Sequence, residues 1–161
     1  MATFTLKNAG YLTTATAVTF SGTQTINSLT DNEWTNLSDE IDNSTNKYKY
    51  VDLELVLGSA AFTGSDSGIE VYLIPTVDGT NYPSWTGDTT SDKQENVPFF
   101  VGFIPTTGAT AAQRGVLAGK DKVELPAGKY KYGIRNRGNV TLASSGNTLS
   151  WRPSSDISTD A

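Results

Sequence analysis

Val51-Asp52-Leu53-Glu54-Leu55-Val56-Leu57 is the stretch that decides the fold. Leu53, Leu55 and Leu57 continue the series begun by Val51, while Asp52, Glu54 and Val56 fall between them. A period of two places the two sets on opposite faces of a strand. The same period returns twice. Ile69, Val71 and Leu73 alternate with Glu70, Tyr72 and Ile74, and Tyr130, Tyr132 and Ile134 alternate with Lys129, Lys131 and Arg135. From Val51 to Trp151 the chain reads as extended segments between turn signals, with no helix of ordinary length. The pattern predicts an all-β fold, an antiparallel β-sandwich on a Greek-key or jelly-roll path with about eight strands.

Working outward, Lys47 to Leu57 reads as a long strand ending at Gly58, and Ile69 to Val77 as the next. Asp78-Gly79 is a turn, because glycine tolerates positive φ and aspartate bonds its own backbone. Thr80 to Glu95 reads as a long surface loop around Pro83, Trp85 and Gly87. Phe99 to Ile104 is a heavily apolar strand, and Ala111 to Leu117 reads as a strand or a short helix. Val123-Glu124-Leu125 leads through Pro126-Ala127-Gly128 into the strand Lys129 to Asn136. Asn139 to Ala143 and Thr148 to Arg152 follow as further extended segments.

Three regions are expected. Residues 1–30, rich in Thr, Ala, Ser and Gly, form an N-terminal arm or edge hairpin. Residues 31–153 form the sandwich, and 154–161 a polar, frayed tail. Within the sandwich, Asp31 to Ile41 reads as an acidic loop with at most one helical turn, carrying Trp34.

At 161 residues the chain is long enough to bury a real core. Hydrophobic content of 37% is too high for a disordered chain. No apolar run approaches the roughly 20 residues that cross a bilayer, so no membrane partner is expected. Met1 to Lys7 lacks the basic and apolar regions of a signal peptide, which points to synthesis in a cytosol. Net charge is −5, divided as −9 over residues 1–95 and +4 over residues 96–161. The simple reading is two solvated surfaces; the sharper one is that acidic and basic surfaces meet between neighbouring copies. Nucleic acid is not an expected partner, since the charge is negative and no dense Lys/Arg cluster is interleaved with aromatics.

The chain has no His and no Cys. A Ser-His-Asp triad, an imidazole base and thiol chemistry are therefore excluded, and neither phosphate-cradling glycine motif is present. No catalytic, cofactor or metal site is expected. Asp52 and Glu54 share a strand face about 7 Å apart by strand rise, within reach of a paired-carboxylate glycosidase. Outward carboxylates are far more often solvated or ion-paired. Asp39, Glu40, Asp42 and Asn43 offer oxygen ligands for Ca²⁺ but do not match the twelve-residue calcium loop. Among aromatics, Trp151 reads as core. Trp34, Tyr82 and Trp85 are the candidates for a protein interface or for stacking on sugar rings, and a loop aromatic folded back as a lid is the competing reading for Tyr82 and Trp85.

Three groups of segments carry a resemblance. They are Gly58 to Gly64 with Val77 to Pro83; Phe100-Val101-Gly102-Phe103 with Ala112-Gln113-Arg114; and Leu125 to Lys131 with Ser145 to Pro153. Together they resemble small capsid decoration (cement) proteins of tailed bacteriophages, including cyanophages. The resemblance spans roughly Trp34 to Pro153 and rests on turns and strand ends, not on a chemical signature. It implies a non-enzymatic, jelly-roll-like virion protein, commonly a homotrimer. Its implied partner is the major capsid protein, at threefold positions on the outer surface of an icosahedral head. The alternative expectation is a carbohydrate-binding module or virion fibre domain that uses Tyr82 and Trp85.

Overall fold

The chain builds nine strands among the residues that the computed structural model describes, 14–63, 67–85, 99–118 and 123–154. They are β1 (Thr16–Ala17), β2 (Ile41–Asp42), β3 (Tyr50–Leu57), β4 (Gly68–Pro75), β5 (Phe100–Pro105), β6 (Gln113–Leu117), β7 (Val123–Glu124), β8 (Lys129–Arg137) and β9 (Thr148–Ser154). The first sheet runs β1-β9-β3-β6 and the second β2-β8-β4-β5, with every pairing antiparallel. β7 pairs with Tyr50 and Val51, just beyond the stretch of β3 that β6 covers, so β6 and β7 share one edge position. Eight positions result, with the chain crossing repeatedly between the sheets. That is the jelly-roll order.

The alternation read from the sequence is what closes the sandwich. Val51, Leu53, Leu55 and Leu57 of β3 point inward with Leu149 of β9. They join one core with Ile69, Val71 and Leu73 of β4 and Tyr130, Tyr132 and Ile134 of β8. Each buried aliphatic side chain contributes about 1.5–3 kcal/mol relative to exposure. Tyr130 and Tyr132 meet edge to face, 5.6 Å apart, deep in this core. Burial pushes both phenols above their ordinary value of 10.0.

Several expectations change at the margins. Residues 14–30 do not stand apart: β1 forms the edge of the first sheet, and Val18, Ile26 and Leu29 are core residues. Residues 1–13 of the expected arm lie outside the described residues, as does the tail beyond Ser154. Ser154 itself belongs to β9. Residues 113–117, read as strand or helix, are strand. Asn139 to Ala143, expected as an extended segment, forms no strand: the chain bends at residues 138–140, with Asn139 at φ 55°, and then bonds along residues 28–29, Leu142 N–H donating to Leu29 O and Ser28 N–H to Ala143 O.

Asp31 to Ile41 contains no helical turn. It lies along the edge of β8 as an irregular strand. Asn32, Thr35 and Ser38 donate backbone N–H groups to the carbonyls of Asn136, Ile134 and Tyr132. Where the ladder is too irregular for backbone acceptors, hydroxyls stand in: Ile134 N–H donates to Thr35 Oγ1 and Tyr132 N–H to Ser38 Oγ. Serine and threonine favour such local bonding, which is why this segment looks loop-like in sequence yet covers a sheet edge.

Part of the uneven charge is matched inside the fold. Each of the five ion pairs among the described residues joins an acid from the first half to a base from the second: Glu40–Lys129, Asp52–Arg152, Glu54–Arg114, and Glu70 with both Arg135 and Arg137. The jelly-roll path lays late strands beside early ones, so these charges meet within one chain.

Candidate functional site

The outer face of the second sheet is covered by aromatics. Tyr72 and Ile74 point outward from β4 and form a second apolar cluster with Trp34, Leu37, Tyr82, Trp85 and Phe99. Trp34 is only 2% exposed. Its ring lies 5.1 Å from Trp85, edge to face, and 5.0 Å from Tyr72. Arg135 lies over the Trp34 ring at 4.9 Å and ion-pairs with Glu70 at 3.7 Å. The Trp85 Nε1–H donates to Thr35 O at 2.8 Å, which fixes the loop back onto the sheet.

Tyr82 is held at the margin of the same cluster. Its hydroxyl donates to Glu40 Oε2 at 2.8 Å, and Lys131 lies 4.8 Å above its ring. Lys129 ion-pairs with Glu40 at 2.8 Å. The hydrogen bonds from Lys129 and then Tyr82 hold the Glu40 carboxyl below its ordinary value, and Glu40 raises Lys129 in turn. Burial, then the bond to Glu40, pushes the Tyr82 phenol up. Trp34, Tyr82 and Trp85 are thus brought together, but as parts of a lid whose faces are occupied by one another and by cations. As a stacking residue Trp34 is displaced by its burial, and the indole of Trp85 is turned inward. Trp151, expected in the core, is half-buried and packs against its edge.

The carboxylates singled out in the sequence also have partners. Asp52 accepts from Arg152 Nη2 at 3.1 Å, and Glu54 from Arg114 Nη1 at 2.7 Å. Asp39 accepts from the Ser21 hydroxyl, and Asp42 from Ser44 N–H. Asn43 donates to Tyr48 O and Pro126 O, which makes it a structural brace. Among the described residues, no three acidic side chains converge as metal ligands would.

The exposed apolar surface lies elsewhere, where the edge strands β5 and β6 meet at one corner of the sandwich. On the outer face of the second sheet Phe100 is 45% exposed and Phe103 36%; Val116, 59% exposed, lies on the opposite outer face across from Glu54, and Val77 is exposed in the turn after β4. A register shift between Val71 and Tyr72 inserts Val101 as an extra residue in β5, so that Gly102 faces Val71 but Phe100 faces Tyr72. Such a bulge re-aims every side chain beyond it. Here it brings Phe100 onto the outer face with Phe103, 5.6 Å from the Tyr72 ring. The strands approach so closely that a Cβ at Gly102 would overlap the Leu117 side chain. The run Phe99 to Ile104 reads in sequence as a heavily apolar strand; neither the bulge nor the edge position has a local signature there.

Comparison with known proteins adds no relative: no family model matches the chain, and no curated protein or solved structure matches it significantly.

Proposed function

We propose that this chain is a structural virion protein without catalytic activity, a decoration (cement) protein that binds and stabilises the outer surface of an icosahedral phage head. The observation that carries the reading is the corner formed by β5 and β6. Phe100 and Phe103 are exposed there on the outer face of the second sheet and Val116 on that of the first, flanking two strand edges that, among the described residues, have no further sheet partner. Exposed aromatics beside open backbone edges are the chemistry of β-strand pairing and of apolar interfaces. A rigid sandwich with such a corner is suited to sit between copies of itself or on a shell protein. Homotrimers at threefold positions of the head would repeat each weak contact and multiply its effect. The sequence resemblance to phage decoration proteins supports the same reading.

The major capsid protein is the proposed partner and the virion its location. The test is the heat resistance of particles made with and without this chain. Particles lacking it should release DNA at a lower temperature, and purified protein added back should restore the difference. Equal resistance in both preparations would remove the proposal.

A further inference from the structure

The two sheets part from each other at the edge opposite β5 and β6, where β1 ends the first sheet and β2 the second. These strands are joined at one end only: Asp39 N–H donates to Thr19 O, and Phe20 forms a bridge with Ser38. Beyond that closure, residues 16–19 and 39–42 line a cleft of about 320 Å³. Its floor is apolar. Trp151 stands opposite the buried Leu53 and so points inward, and Val18 and Ile41 pack against the same core. One rim is acidic, with Asp39, Glu40 and Asp42 all exposed. Glu40 pairs with Lys129, whereas Asp39 and Asp42 have no ion-pair partner among the described residues. Backbone is available too. Val18 N–H donates to Leu149 O, so by antiparallel alternation Ala17 turns its N–H and C=O away from β9.

We infer that this cleft seats an extended, basic segment of a different polypeptide. The guest backbone adds to the edge of β1 at Ala17, as strands add to other open sheet edges. An arginine or lysine on it lays its aliphatic stem on Trp151 and Ile41 and brings its charge to Asp39 and Asp42. Such a side chain matches both parts of the lining, because its stem is apolar and only its head is charged. A cation close to an indole gains a further attraction. Charge also decides against a second copy of this chain as the guest. Each copy carries −5, and the arginines of β6, β8 and β9 are already paired with acids of their own chain. The cleft and the β5–β6 corner lie at opposite edges of both sheets, so the two surfaces share no residue.

The test is an NMR titration of the whole chain with the peptide acetyl-Ser-Thr-Val-Arg-Val-Thr-Ser-amide and, separately, with its analogue carrying Glu in place of Arg. The arginine peptide should give saturable shifts at the amides of Ala17, Thr19 and Asp42 and at the Trp151 indole, and the glutamate peptide should not. Asp39→Asn with Asp42→Asn keeps acceptors for Ser21 and Ser44 but removes both charges, and should weaken binding about tenfold or more. Ala17→Pro removes the free N–H at the sheet edge without touching the charges, and should abolish binding while shifts remote from the cleft stay as in wild type. Four results would overturn the inference: no saturable shift with the arginine peptide, equal binding of the glutamate peptide, binding that survives both variants, or self-association that the asparagine pair removes, which would make a second copy the occupant. Capsid binding through the β5–β6 corner is read in a separate experiment, so either proposal can fail without the other.

Discussion

Gly133 and Trp85 occupy complementary space: a Cβ on residue 133 would overlap the six-membered ring of the Trp85 indole. Gly133 lies on β8 with its missing side chain facing outward, opposite Tyr72 on β4. Glycine ordinarily weakens a strand, so its place here follows from the ring that rests on it. The lid over the second sheet depends on that contact.

Gly133→Val therefore lifts the lid although valine is the better strand former. The expected cost is about 1–3 kcal/mol, as for other overpacked sites. Intrinsic fluorescence should shift to the red as Trp34 and Trp85 gain solvent. An unchanged spectrum and unchanged stability would show that the indole does not rest on this backbone.

Asn136 is the least replaceable polar residue of the core. Its amide donates to Leu29 O at 2.9 Å and Val140 O at 2.7 Å, and its carbonyl accepts from Gly138 N–H at 2.8 Å. Asn136→Ala removes the partner of Val140 O and Gly138 N–H, while Leu29 O keeps its bond from Leu142 N–H, and about 2–4 kcal/mol of stability should be lost in denaturant titration. A loss below about 0.5 kcal/mol would mean that water replaces the side chain.

Acid should weaken the fold through the turns and the lid. Backbone N–H from Asn81, then the Asn81 side chain and Thr80 N–H, hold the Asp78 carboxyl far below its ordinary 3.8, and Lys129 with Tyr82 lowers Glu40 from 4.5. A carboxyl lowered in the folded state adds stability above its unfolded value and loses it as pH falls toward the folded value. Asp78→Ala should lower the thermal midpoint at neutral pH, with the gap to wild type narrowing below 3.8. A gap independent of pH would contradict the assignment. In alkali the sign reverses: Tyr130 and Tyr132 are raised above 10.0, so their stabilising effect is complete below that value and fades as pH rises above it.

The strands that make the sandwich were legible because their alternation is regular and their partners are buried. Val51 to Leu57, Ile69 to Ile74 and Lys129 to Arg135 each announce their inward face. The segment from Asp31 to Ile41 was not legible as an edge, because Thr35 and Ser38 replace ladder bonds with hydroxyl bonds that any loop could make. Trp34, Tyr82 and Trp85 were recognisable as a group worth attention, but their burial depends on Gly133, about fifty residues further along than Trp85 by the chain numbering. The exposed corner was hidden for a different reason. Phe100 looks inward until the extra residue at Val101 turns it out, and nothing local in the sequence fixes a bulge.

That corner gives a prediction of its own. Phe100→Ser combined with Phe103→Ser should leave the core unchanged, since both side chains point outward from an edge strand. Thermal stability should move by less than about 1 kcal/mol, as surface changes usually do. Association with capsids, or between copies of the chain, should fall sharply. Full association by a folded double variant would place the interface elsewhere.

The most direct test of the decoration account is a cryo-electron microscopy reconstruction of expanded heads, from the virus that encodes this chain, after incubation with the purified protein. The account predicts added density on the outer surface at threefold positions, with a β5–β6 corner of each copy turned toward the shell or a neighbouring copy. Heads that show no added density under saturating protein would contradict it.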